Sequence, residues 1–180
     1  MLPIAPLMIE HRLIEQMIVV IRKEIDRCES EGNINPEFID AAIDFIRIYA
    51  DKCHHGKEED ILFRDLHKKE LPDELKGIVS ELIEEHQLGR KVVRDLVEAK
   101  RKYIRGDKQA LPAILDSLRY MTDFYPKHIE KEDKHFFLPC MNYFTSEEKE
   151  ALLKEEWEFD KNLIHQIYKE KISAWNTNSK

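Results

Sequence analysis

Four histidines and two glutamates in this 180-residue chain stand in a pattern that suits metal cations. They fall in four short stretches: Glu10-His11, His54-x-x-x-Glu58, Glu85-His86 and His128-x-x-x-Glu132. Shifting the sequence against itself by 74 lays His54 over His128, Lys57 over Lys131, Glu58 over Glu132 and Phe63 over Phe137, with Glu59 meeting Asp133. A shift of 75 lays Glu10-His11-x-Leu13 over Glu85-His86-x-Leu88. The chain therefore repeats one unit, a His on a first helix and His-x-x-x-Glu on a second. Residues at i and i+4 share one helical face, so each pair can aim an imidazole nitrogen and a carboxylate oxygen at one point. Such donors suit iron, manganese or zinc, and without clustered cysteines a thiolate site is disfavoured. Two carboxylates can bridge two cations, as in di-iron bundles built from Glu and His.

The elements that must carry these residues are long helices with short breaks. The first is expected from Pro6 to Ser30, stopped by Gly32. Asn35-Pro36, a cap followed by proline at the first helical position, opens a second to about His67. Leu71-Pro72-Asp73 breaks the chain, and a third runs from Asp73 to Arg105. A fourth starts after Gly106-Asp107 and reaches Leu138, kinked at Pro126 and ended by Pro139. Thr145-Ser146-Glu147-Glu148 reads as a capping box for a fifth helix to about Ala174, bearing Leu152, Leu153, Trp157, Leu163, Ile164, Ile167 and Tyr168. The expected fold is all-α: an up-down-up-down antiparallel four-helix bundle over residues 1–144, and a helix over 145–174 packed on the bundle or on a partner. A frayed tail over 175–180 completes it.

All six polar residues lie on apolar stripes. His11 aligns with Leu7, Ile14 and Ile18; His54 and Glu58 with Ile43, Ile46, Ala50 and Ile61. His86 aligns with Val79, Leu82, Ile83 and Val93, and His128 and Glu132 with Leu118, Met121 and Phe124. A buried, unpaired carboxylate costs several kcal/mol, and two would rival a domain's whole stability of roughly 5–15 kcal/mol. Metal removes that cost, so the metal reading outweighs a surface ion pair.

These residues make the stretch from Ile9 to about Tyr143 resemble the hemerythrin family, the His-His-Glu cation-binding domain. The resemblance rests on Glu10-His11, His54-His55-Gly56-Lys57-Glu58-Glu59-Asp60, Glu85-His86 and His128-Ile129-Glu130-Lys131-Glu132-Asp133. It implies two irons (Fe2+/Fe3+) bridged by carboxylates and an oxo or hydroxo group, with His11, His54, His86 and His128 as terminal ligands and Glu58 and Glu132 as bridges. Oxygen-carrying members have His-x-x-x-His on the third helix, where this chain has His86-x-x-x-Arg90. His135, seven residues after His128, is the candidate to fill that gap. His55 and Glu59, in the next register, read as solvated or supporting residues. Tyr49 and Tyr125 read as packing residues. Arg90 is open between bonding Glu58 or Glu132 and gating the site.

The net charge of −7 argues against nucleic acid, which needs a basic patch. Cys28, Cys53 and Cys140 are odd in number and far apart, which fits reduced thiols and a cytoplasmic setting. The apolar N-terminus holds two prolines and no basic flank, so it reads as a lead-in to a helix and not as a signal peptide; no run is long enough to span a membrane. The first functional expectation is a protein that binds dioxygen, nitric oxide or peroxide at an open iron position, for sensing, redox signalling or oxygen handling. The alternatives are an enzyme of oxidative or nitrosative stress defence, peroxidase-like or donating iron for repair, and iron buffering. A homodimer and a protein partner remain open expectations.

Overall fold

The computed structural model describes the backbone of residues 1–177 and the side-chain surroundings of 1–163 and Ile167. Among these residues it is all helix. Helix α1 spans Ile4–Glu31 and stops where Gly32 turns left-handed, at φ 68°, its N–H donating to the Cys28 carbonyl. A left-handed terminal residue satisfies an orphan carbonyl, and glycine adopts it without a Cβ penalty. Asn35 then caps α2, its side chain accepting from the Glu37 and Phe38 N–H groups, with Pro36 in the first turn.

Helix α2 covers 36–66, but not as a uniform α-helix. Between Pro36–Phe45 and Arg64–Leu66 lie two stretches of wider i→i+5 turns, Ile46–His55 and Glu58–Phe63. Helix α3 is Asp73–Ile104. Helix α4 covers 111–140: Leu111–Lys131, a wide-turned Glu132–Phe136, and Phe137–Cys140. The helix thus passes two residues beyond the expected end at Leu138, with Pro139 inside its last turn. It also continues through Pro126. Proline has no N–H for the carbonyl four residues earlier. That carbonyl, on Thr122, accepts instead from Arg22 of α1 at 2.7 Å.

The helices form a ring in which α1 neighbours α2 and α4, and α3 neighbours α2 and α4. Two apolar clusters fill it and do not merge. On α1, Leu7 belongs to one and Ile14 to the other, on either side of His11. Ala50 and Ile61 bracket His54 and Glu58; Leu82 and Val93 bracket His86; Ile129 and Phe136 bracket Glu132. A polar layer therefore crosses the middle of the bundle.

Helix α5, Ser146–Thr177, begins with the expected reciprocal cap: Glu148 N–H donates to Thr145 Oγ1 at 3.2 Å, and Thr145 N–H to Glu148 Oε2 at 2.8 Å. Leu152 joins an apolar cluster and Leu153 is buried, whereas Trp157 is exposed. A Cβ on Gly56 would sit 2.8 Å from the Phe159 ring, so glycine lets α5 approach α2 closely. The expectations for Ile164 and Tyr168, and for the tail from 178, lie outside the described residues. No described helix is long and apolar enough to cross a membrane.

Candidate metal centre

The wide turns decide which side chains reach the polar layer. An i→i+5 turn holds one more residue than an α-turn. In α2 this carries neighbouring His54 and His55 inward together, and both are buried. In α4 the wide turn at Glu132–Phe136 comes directly after His128 and its turn of helix. Seven residues along a regular helix return to nearly the same face, but one extra residue rotates the later side chains by about 100°. His135 is accordingly exposed, in a surface hollow with Glu74 and Tyr143. The expectation that His135 completes the site is corrected: His55 stands in the layer instead.

The six other predicted residues, His11, His54, Glu58, His86, His128 and Glu132, are all buried together. They form two overlapping groups. Ligand atoms of His55, Glu58, His86 and His128 lie within 4.8 Å of one another, as do those of His11, His54, Glu58 and Glu132. Glu58 belongs to both. Glu132 also faces both, with Oε2 3.2 Å from His11 Nε2 and Oε1 3.2 Å from His128 Nε2.

Four of the imidazoles are oriented alike. His11 Nδ1–H donates to Asp133 at 2.8 Å, His54 Nδ1–H to Glu10 at 2.9 Å, His86 Nδ1–H to Glu59 at 2.7 Å and His128 Nδ1–H to Glu85 at 2.7 Å. A carboxylate can only accept, so the neutral ring keeps its proton on Nδ1 and turns a lone pair on Nε2 inward. Each carboxylate is itself held by a cation: Glu10 by Lys57, Asp133 by Arg12, Glu59 by Arg90 and Glu85 by Lys131. This explains the repeated Lys-Glu-acid triplet, Lys57-Glu58-Glu59 and Lys131-Glu132-Asp133. Its middle residue faces the layer, and its flanks hold the histidines of the other helices.

The inward atoms then lack partners. His11 Nε2 lies 2.9 Å from His54 Nε2, and His86 Nε2 lies 3.2 Å from His128 Nε2. Two lone pairs cannot hydrogen-bond to each other; a proton or a metal cation must stand between them. Both oxygens of Glu58 and of Glu132, and both ring nitrogens of His55, are buried without a hydrogen bond. The donor chemistry and these orphaned atoms fit a pair of hard or borderline cations.

Without metal, protons take over that task. Burial, then the charge of Glu132, pushes Glu58 well above the ordinary carboxylate range. Burial opposes ionisation of Glu132 too, but His128, His11 and His86 outweigh it and hold this carboxyl well below that range. Burial likewise opposes charge on His11, yet Asp133 and Glu132 raise it to about 9. Burial lowers His54 to about 4, and burial with the neighbouring imidazoles drives His55 well below its ordinary value.

His55 is the residue that periodicity missed. Its counterpart in the repeat is Ile129, itself buried, so the alignment already placed His55 at a core position. Arg90 does not bond Glu58 or Glu132; it donates to Asp51 and Glu59, both at 2.8 Å. Tyr125 is buried with its ring parallel to His55, and Tyr49 stacks on Phe45. A third acidic group, Glu10, Cys53 and Asp160, has its cation within the chain, because Lys57 donates to Glu10 and Asp160.

The family model of the Hemerythrin HHE cation binding domain matches residues 2–163, nearly the whole chain, and the chain belongs to that family. It is a cation-binding helical bundle with buried His and Glu groups that could hold metal. No curated protein and no solved structure is significantly similar to it.

Proposed function

We propose that this centre holds two iron ions and binds a small ligand, dioxygen, nitric oxide or peroxide, for sensing, redox signalling or oxygen handling. The observation that carries this reading is the unequal donor supply around a shared carboxylate. His55, His86 and His128 gather on one side, His11 and His54 on the other, with Glu58 in both groups and Glu132 facing both. The ion on the His11/His54 side would keep more exchangeable positions than its neighbour. Iron at such a site supplies reversible coordination of, or electron exchange with, a small ligand.

The chain's own part is to orient and to exclude water. The four carboxylates fix ring orientation and strengthen the imidazoles as donors. Phe137 stacks on His11 at 5.5 Å between centroids and Phe124 on His128 at 5.0 Å, which walls the layer with apolar surface. The three cysteines are free, which supports placement in a reducing cytoplasm.

Metal analysis of the chain purified from iron-supplemented cells, with its visible spectrum before and after anaerobic reduction, tests the proposal. The expected result is roughly two irons per chain, as in paired-carboxylate bundles, with an absorption band lost on reduction. Stoichiometric zinc, or no metal after anaerobic Fe(II) loading, would overturn it.

A further inference from the structure

Four of the five buried histidines of the layer hand their Nδ1 proton to a carboxylate; His55 does not. Its nearest acidic neighbour, Asp51, stands 3.5 Å from Nδ1, and Asp51 is drawn away by Arg90, which donates to it at 2.8 Å. Both ring nitrogens of His55 are left without a hydrogen bond. A histidine that ligates metal through one nitrogen ordinarily donates its other N–H to an acceptor. The acceptor for His55 is missing from the protein itself.

What His55 meets instead is a hollow. It and His86 help line a cavity of about 300 Å³ between α2 and α3. That volume far exceeds one water's share of the liquid, roughly 30 Å³. The same cavity is lined by Arg47, Lys52, Arg90 and Arg94, against one acidic residue, Asp51. Arg90 is engaged by Asp51 and Glu59, whereas Arg47 and Arg94 form no ion pair among the described residues. Arg47 also borders the next hollow along the groove, with Lys100, Arg101 and Arg105. A basic groove in a chain of net charge −7 runs against the overall field. Clustered charge of one sign in a cleft concentrates ligands of the opposite sign.

We propose that this cavity binds a small carboxylate or inorganic oxyanion of single negative charge, which accepts a hydrogen bond from His55 and is held by Arg47 and Arg94. It would supply to the fifth histidine what Asp133, Glu10, Glu59 and Glu85 supply to the other four. The consequence for metal chemistry rests on the function proposed above; the anion selectivity of the cavity does not. On the three-histidine side, such an anion acts through the ligand His55 and tunes the centre without occupying the more open position opposite.

Acetate and its neutral isostere acetamide are the probes, titrated calorimetrically into the full chain as purified with its metal and after metal removal. Acetate should bind at least tenfold more tightly than acetamide in both forms, weakening as salt rises. The double variant Arg47→Glu/Arg94→Glu, changed at two positions outside the metal layer, should lose at least tenfold in acetate affinity with metal content unchanged. In the metal-free protein, the His55 ring resonances should shift with acetate and not with acetamide. Equal affinity for the two probes, an unaffected double variant, or unshifted His55 resonances would each overturn the proposal. A chain that holds no metal yet selects acetate would overturn the function reading and leave the cavity standing. A metal-loaded chain that does not select acetate would overturn the cavity alone.

Discussion

The two halves of the polar layer share one wiring but not one setting. In the first, Glu10 holds His54 and Lys57 holds Glu10; in the second, Glu85 holds His128 and Lys131 holds Glu85. Lys57 is fully buried, with Asp160 of α5 taking a second hydrogen bond from it, while Lys131 is a quarter exposed and shared with Glu81. Beside His54 stands His55; beside His128 stands Ile129. The comparison teaches that the repeat builds the ligand contacts, while the unequal parts, His55 and the covering helix, set how many donors each side has and how dry it is.

Glu58 is where the halves meet, so Glu58→Ala is expected to have the largest effect. It should lower affinity for both ions by well over the 10–100-fold typical of losing a mere supporting contact. Metal analysis after dialysis against a weak chelator reads this, and retention of both ions would refute the shared-carboxylate arrangement.

Next comes the contrast between buried and exposed relays. Glu10→Ala strands a buried ammonium and should cost the metal-free protein about 3–5 kcal/mol. Glu85→Ala leaves Lys131 to water and Glu81, and should cost within about 1 kcal/mol through that ion pair. Equal shifts in urea midpoint would show that α5 adds nothing to the asymmetry.

His55→Ala should weaken one of the two ions by about 10–100-fold or more and leave the other in place. His135→Ala should leave metal content unchanged, since that residue is exposed. Stepwise metal titration distinguishes the two variants, and loss of metal in the His135 variant would put that histidine back among the ligands of α4.

The smallest expected effect concerns Glu156, buried under α5 with both oxygens unpartnered. Burial raises its carboxyl from 4.5 to about 8. A raised acid contributes stability that is full below the unfolded value and lost as pH climbs through the folded one. Stability should therefore fall between about pH 4.5 and pH 8 from this group. Glu156→Gln should flatten that decline and exceed the parent by about 1–2 kcal/mol above pH 8, the scale of one unsatisfied buried polar group. An unchanged slope in the variant would place the pH dependence elsewhere.

The sequence by itself determined the helices and the candidate ligand pairs, because those signals are local. Asn35-Pro36, Gly32 and Thr145-x-x-Glu148 act within a few residues of chain, and His-x-x-x-Glu reads directly as one turn of helix. It also contained the wiring without explaining it: Lys57-Glu58-Glu59 and Lys131-Glu132-Asp133 repeat, but their partners are distant in the chain and on other helices. Tertiary structure decided the fifth histidine. A constant period of 3.6 residues places His135 with His128 and turns His55 outward. The wide turns of α2 and α4 each break that period locally, rotating His55 into the layer and His135 out to solvent. A turn that gives up regular hydrogen-bond geometry persists where packing around it favours the displaced side chains, and that packing exists only once four helices have come together.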